Sequence, residues 1–168
     1  MKIKLEIGTS RDVGDLVLLR NAVSHDLTSR YGNGHWTSNA SERGVLFQMT
    51  RARVYIARYR GLLVATLALS KRKPWAIDTS YFSKCGKPLY LVGMAVLPAK
   101  QRQGIGKRCL EEAARIARAW PADAIRLDAF DADAGAGGFY ARCGYREVGR
   151  ASYRNTPLIY YELLLGNE

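Results

Sequence analysis

The run Val96-Leu97-Pro98-Ala99-Lys100-Gln101-Arg102-Gln103-Gly104-Ile105-Gly106-Lys107 lies between an apolar strand, Leu89 to Leu97, and a helix that places Leu110, Ala113, Ala114 and Ala117 on one stripe. Glycines at a strand-to-helix turn let the backbone approach a ligand closely. The unpaired amides at the helix N-terminus, with the macrodipole, favour an anion there. Phosphate is the natural guest, and two familiar phosphate motifs are excluded by count. A Walker A loop ending at Gly106-Lys107 needs glycine at position 101 and Ser or Thr at 108, where Gln101 and Arg108 stand. A dinucleotide fingerprint begun at Gly104 needs glycine at 109, and one begun at Gly135 needs it at 140; those residues are Cys109 and Tyr140.

Upstream of this turn, Lys2 to Ile7 alternates polar and apolar residues and predicts a first strand with Ile3, Leu5 and Ile7 on one face. Thr9 with Asp12 forms a capping-box pattern, and Val13, Leu16, Val17, Val23 and Leu27 carry a helix up to Tyr31-Gly32-Asn33-Gly34. Asn39 with Glu42 opens a second helix through Val45, Leu46 and Met49. Arg53 to Tyr59 and Leu62 to Ser70, joined by Arg60-Gly61, predict a hairpin whose second strand is apolar enough to be central. Lys71 to Pro88 reads as a long functional loop, with Trp75, Ile77, Tyr81 and Phe82 arguing against disorder. Downstream, Pro121 closes the glycine-turn helix, Ala124 to Phe130 is a strand, and Ala134 to Arg142 a short helix. Tyr145 to Arg150 and Leu158 to Leu165 are two further strands. The order, with no repeat period, predicts one α/β or α+β domain over residues 1–168.

Lys and Arg number 26 against 15 Asp and Glu, giving a formal net charge of +11. That excess points to an anionic partner: nucleic acid, an acidic surface or a phosphorylated cofactor. No apolar run approaches the ~20 residues that span a bilayer, and no signal-type segment is visible at the start. Cys85, Cys109 and Cys143 form neither a CxxC nor a zinc pattern. A cytoplasmic location with no membrane association is therefore expected.

The pattern Gln101-x-x-Gly104-x-Gly106 after a strand and before a helix resembles that of the GCN5-related N-acetyltransferase (GNAT) superfamily. Ala136-Gly137-Gly138-Phe139-Tyr140-Ala141-Arg142-Cys143-Gly144-Tyr145 is similar to that family's Ala-x-x-Phe-Tyr-x-x-x-Gly-Phe segment. Leu127-Asp128 stands between them, where a strand with Leu-Asp or Leu-Glu is common in such proteins. The resemblance implies a central mixed, mostly antiparallel twisted sheet of six to seven strands with about four helices. It implies acetyl-CoA as cosubstrate and no metal. Arg102, Gln103, Gly104, Ile105, Gly106 and Lys107 would hold the pyrophosphate, and Met94, Ala95 and Val96 the pantetheine arm. One departure is Asp133, where relatives often carry an Asn that touches the coenzyme.

Acetyl transfer to an amine needs the amine neutral, an oxyanion stabilised and a proton for the departing thiolate. An alkylamine has a pKa near ~10.4, so a base or a water chain to one is required. Asp128 is the first candidate, with Asp78 and Glu162 behind it. Tyr140 is the implied proton donor to the thiolate, and the amide of Ala95 or a neighbour the implied oxyanion donor. The cysteines read as packing or surface residues. For the acceptor, the resemblance implies a pocket built from the first helices, the loop before the coenzyme strand and the last strands, which here contain Trp36, Trp75, Asp78, Tyr81 and Tyr153, with His35 and Tyr160 beside them, an aromatic set suited to an amine. The reading is an N-acetyltransferase acting on a primary amine, more naturally of a small molecule than of a protein, in a monomer or homodimer. Two alternatives stay open: a nucleic-acid-binding module, motivated by the charge and by Lys71-Arg72-Lys73, and a non-catalytic coenzyme sensor.

Overall fold

Arg60 and Gly61 both take positive φ, 51° and 79°, the backbone that a tight hairpin turn demands. They join β2 (Arg53–Tyr59) to β3 (Leu62–Ser70) in antiparallel register, and β3 is buried from Leu63 onward. The computed structural model describes residues 2–166. The remaining elements are β1 (Glu6–Ile7), α1 (Val13–Tyr31), α2 (Glu42–Arg51), β4 (Pro88–Val96), α3 (Ile105–Ala119), β5 (Ala124–Phe130), α4 (Gly137–Arg142), β6 (Arg146–Tyr153) and β7 (Thr156–Leu164). The sheet has seven strands in the order β1-β2-β3-β4-β5-β7-β6. The β4–β5 pair is parallel, while β1–β2, β2–β3, β5–β7 and β6–β7 are antiparallel. This is the mixed, mostly antiparallel sheet with four helices that the sequence led us to expect.

The chain forms two compact units, with β4 and α3 running through both. In the first, residues up to Leu69 with Val92–Ala113, the core joins Val13, Leu16 and Leu19 of α1, Val45 of α2, and Val54, Ile56, Leu63 and Ala68 of the hairpin. Truncating Leu16 or Leu19 there costs about 2–5 kcal/mol by the usual cavity penalty. In the second, Ser70–Leu91 with the chain from Ala114 onward, Ile77, Phe82, Tyr90, Leu158 and Tyr160 form a core against which Tyr153 packs. The stripe expected on α3 is buried in full at Leu110, Ala113, Ala114 and Ala117.

Several expected boundaries move. The first strand shrinks to two residues, because the Leu5 amide donates to the Glu112 carboxylate (3.4 Å) rather than to a sheet partner. Ile3 and Leu5 are buried but Ile7 is 58% exposed, so the three do not share an environment. The cap of α2 is Ser41, whose Oγ accepts from the Gly44 amide at 3.1 Å, not Asn39. Helix α3, by contrast, ends at Ala119, just before Pro121 as expected. Helix α4 starts at Gly137, since residues 132–135 close a turn in which the Gly135 amide donates to the Ala132 carbonyl. A Cβ on Gly135 would lie 1.8 Å from the Phe130 carbonyl, so only glycine passes. Strand β6 extends to Tyr153.

Candidate active site

In the first unit, β4 ends at Val96 and the chain turns through a short 3₁₀ segment, Pro98–Lys100. The two glutamines of the motif stitch this turn together. Gln101 Nε2 donates to the Val96 carbonyl (3.0 Å) and Gln103 Nε2 reaches the Ala99 carbonyl (3.5 Å). Arg102 (φ 61°) and Gly104 (φ 81°) are both left-handed, and the Gly104 carbonyl accepts the first helical bond, from Arg108 at 3.2 Å. The amides of Ile105, Gly106 and Lys107 therefore begin α3 without intrahelical acceptors. No acidic residue stands in the first turn of α3, and a Cβ at Gly104 would meet nothing within 4 Å. Arg102 and Lys107 are exposed beside these amides, and Arg108 Nη1 is buried with no hydrogen-bond partner. Open space, free amides and surplus cations are what a pyrophosphate requires, so the residues present fit that group. Met94, Ala95 and Val96 lie half-buried on β4 just upstream of the turn.

In the second unit, Asp128 sits on β5 opposite Tyr160 of β7. Burial pushes its carboxyl up from the ordinary value, against a weaker pull from its own amide. Tyr140, on α4, is 7% exposed, with its ring 5.9 Å from Tyr145 and 6.0 Å from Tyr161. Burial first, then the charge of Asp128, then Cys143 push its phenol up, so Tyr140 stays protonated far above neutral pH. The structure thus brings the two expected catalytic side chains into one electrostatic environment. Tyr145, which the sequence reading left out, joins them: its hydroxyl is buried without a hydrogen-bond partner. Its place at the end of the Ala136–Tyr145 segment, where the family pattern has Phe, was the one signal, and it marked the position as a packing aromatic.

The other candidate bases are committed elsewhere. Glu162, 2% exposed, pairs with Arg126 Nε (3.2 Å) and lies 3.8 Å from Arg146. The Asp78 carboxylate accepts from the Ser80 amide (2.9 Å) and hydroxyl (2.7 Å), which hold its pKa below the usual value. Among the expected acceptor residues, Asp78, Tyr81 and Tyr153 gather around Tyr160. The Tyr160 hydroxyl accepts from the Asp78 amide (3.2 Å) and donates to the Ala76 carbonyl, and its ring meets Tyr81 edge-on at 5.3 Å. Trp75 is 86% exposed and joins no core. Trp36, in the first unit, donates from Nε1 to the Gly32 carbonyl (3.1 Å) and packs on Tyr31 and His35, closing the loop after α1. Cys109 is inert, its thiol pushed up to about 12 by burial. Among the described residues no group of three or more His, Cys, Asp or Glu is placed to hold a metal ion, and no helix is long and apolar enough to cross a membrane.

Sequence reasoning missed the network that orders the long loop. Arg126 donates to Glu162, to the Ser83 carbonyl (2.6 Å), to the Tyr90 hydroxyl (3.3 Å) and to Cys85 Sγ (3.3 Å), with its guanidinium 5.0 Å from the Phe82 ring centre. The apolar flanks of Arg126 on β5 gave the only hint, that an arginine in so buried a strand must be paired.

The acetyltransferase (GNAT) family model matches residues 20–145. No curated protein matches by sequence. Solved structures match in fold. An N-acetyltransferase from Staphylococcus aureus Mu50 gives a TM-score of 0.70 at 11% identity, covering 99% of this chain and 100% of its own. The ribosomal-protein-S18-alanine N-acetyltransferase from Escherichia coli gives 0.69 at 15%, covering 99% and 96%. A Salmonella typhimurium protein described as an acetyltransferase and solved with its cofactor acetyl-CoA gives 0.69 at 13%, covering 99% and 95%. At such identities the structures speak for the fold alone, and the family match carries the assignment: this chain belongs to the GNAT family of acetyl-CoA-dependent acyltransferases.

Proposed function

We propose that this protein transfers the acetyl group of acetyl-CoA to the primary amine of a small molecule, by direct attack in a ternary complex, as a single cytoplasmic N-acetyltransferase domain. The observation that carries the reading is the turn at Gly104, left-handed and open, which delivers the first amides of α3 to a polyanion within the family's own motif. Ile105, Gly106 and Lys107 offer amides to the pyrophosphate, and Arg102 and Lys107 offer charge. Met94, Ala95 and Val96 would hold the pantetheine arm through backbone groups, and the Ala95 amide would donate to the acyl oxygen as negative charge develops there. The bound coenzyme supplies an acetyl thioester, which is activated toward an uncharged amine.

Asp128, with its proton affinity raised by burial, accepts the acceptor's proton directly or through water. Tyr140, kept protonated by burial and by Asp128, donates a proton at its hydroxyl to the departing sulfur. Tyr81, Tyr153 and Trp75 supply aromatic faces for the acceptor. The nucleic-acid reading is disfavoured because the local charge at residues 102–108 is accounted for by phosphate binding.

A panel of small primary amines, incubated with acetyl-CoA and read by free-thiol release, tests the reading. Amine-dependent release is expected. Binding of DNA or RNA that weakens steeply with salt, without any thermal shift from acetyl-CoA, would overturn it. Release with peptides but no small amine would move the acceptor to protein.

A further inference from the structure

Several arginines of the described residues rest on carboxylates: Arg58 on Asp12 and Asp15, Arg126 on Glu162, Arg150 on Glu147 and Asp131, Arg30 on Asp26. Arg20 does not. It projects from α1, partly buried, and its Nη2 donates to the Oε1 of Gln48 on α2 at 2.5 Å. Among the described residues no carboxylate lies within ion-pair distance of it. Burial alone acts on its guanidinium, lowering its pKa with no negative charge to oppose the effect. A guanidinium carries five N–H donors, and one neutral amide oxygen answers only part of that capacity. Withdrawing a cation from water without a counter-ion is unfavourable.

The place where this unanswered charge sits is specific. A Cβ built on Gly93 would lie 3.0 Å from Gln48 Nε2 and 3.9 Å from Arg20 Nη2, so both side chains end against β4 at this residue. Gly93 has φ 63°, left-handed backbone within β4, and it is exposed to solvent immediately before Met94. Any residue with a Cβ would crowd Gln48, so glycine keeps the approach to the pair open. The result is a half-buried fork of donors beside the exposed Gly93, on the strand that carries the expected coenzyme arm.

We propose that Arg20, steadied by Gln48, binds the carboxylate of the acceptor, so that the substrate class is a small amine that also carries a carboxylate. The proposal rests on the acetyltransferase reading above and sharpens it. A planar carboxylate answers the guanidinium with two parallel hydrogen bonds, which an amide or ester cannot reproduce. The positive charge excess of the chain then serves the acceptor as well as the coenzyme.

The test compares pairs of amines that differ only in a carboxylate against a carboxamide, read as kcat/KM by thiol release on the full chain. The acid is expected to be preferred by about 10- to 100-fold, the scale of charge-assisted hydrogen bonds. Arg20→Gln should collapse that ratio to about one, chiefly through KM for the acid. Arg20→Lys should keep part of it. Melting of Arg20→Gln should occur at or above the wild-type temperature, because a partly buried charge with no carboxylate partner has been removed; the N-acetylated acid should raise the melting temperature of the wild type and not of Arg20→Gln. Equal use of acid and carboxamide by the wild type, or an equal loss on both in Arg20→Gln, overturns the proposal while leaving acetyl transfer standing. A marked fall in the melting temperature of Arg20→Gln assigns the residue to folding instead. No thermal shift with acetyl-CoA alone overturns the acetyltransferase reading, and this proposal with it.

Discussion

The turn proposed to hold phosphate, in the first unit, and the Asp128–Tyr140 pair proposed to move protons, in the second, use different materials. The turn works with backbone: left-handed Arg102 and Gly104, glutamines that close the loop on its own carbonyls, and amides left free where α3 begins. Gln101, Arg102 and Gln103 are exposed, and the two glutamines commit their side chains to the turn's own carbonyls. The pair works with side chains whose chemistry is set by burial, which raises the proton affinity of both. Backbone amides hold a partial charge that needs no titration, so they suit a ligand that must be bound tightly and unchanged. Proton transfer needs groups whose affinity for a proton is tuned, and burial is the means available here.

Variants of the buried pair should separate it from the turn most sharply. Tyr140→Phe should lower kcat by about 10²–10⁴-fold, with acetyl-CoA affinity held within about twofold, in a steady-state assay beside a calorimetric titration. Glu162→Ala leaves Arg126 without its carboxylate inside the second unit and should cost about 3–5 kcal/mol in urea unfolding. Asp128→Asn should lower thiol release by about 10²-fold and remove the acid limb of the pH profile. Its effect on stability has the opposite sign. Folded Asp128 holds its proton more tightly than the unfolded chain does, so its contribution is favourable at low pH. That contribution is lost as pH rises from the ordinary carboxylate value through the raised one. The variant should therefore melt higher than wild type at neutral pH and gain nothing in acid.

Gly104→Val tests the turn. No atom obstructs a side chain there, so the cost is confined to left-handed backbone, about 1–2 kcal/mol, and acetyl-CoA affinity should fall by about tenfold. Tyr145→Phe should change stability by less than about 1 kcal/mol or raise it, since the hydroxyl removed has no partner. If that variant loses activity as Tyr140→Phe does, proton donation is not confined to Tyr140.

The turn was legible in the sequence because its signals are local: Gly104 and Gly106 between a strand and a helix, and Arg60-Gly61 in the hairpin, depend on neighbours within a few residues. The buried stripe of α3 was legible for the same reason. Glu162 was misjudged as a reserve base, because its partner Arg126 meets it only once β5 and β7 pair in register. Asp78 looked available until Ser80 claimed it. Ile7 kept the alternation of a strand, yet the Glu112 carboxylate took the Leu5 amide that a longer β1 would have used. The Arg20–Gln48 contact joins two helices and had no local mark at all.

The most direct test of this division of labour measures acetyl-CoA dissociation constants and kcat for Gly104→Val and Tyr140→Phe side by side, using one amine that the wild type acetylates. The account predicts that Gly104→Val weakens binding with kcat at saturation largely retained, and that Tyr140→Phe loses kcat with binding retained. A Tyr140→Phe enzyme that keeps its kcat, or a Gly104→Val enzyme that binds acetyl-CoA as the wild type does, would contradict it.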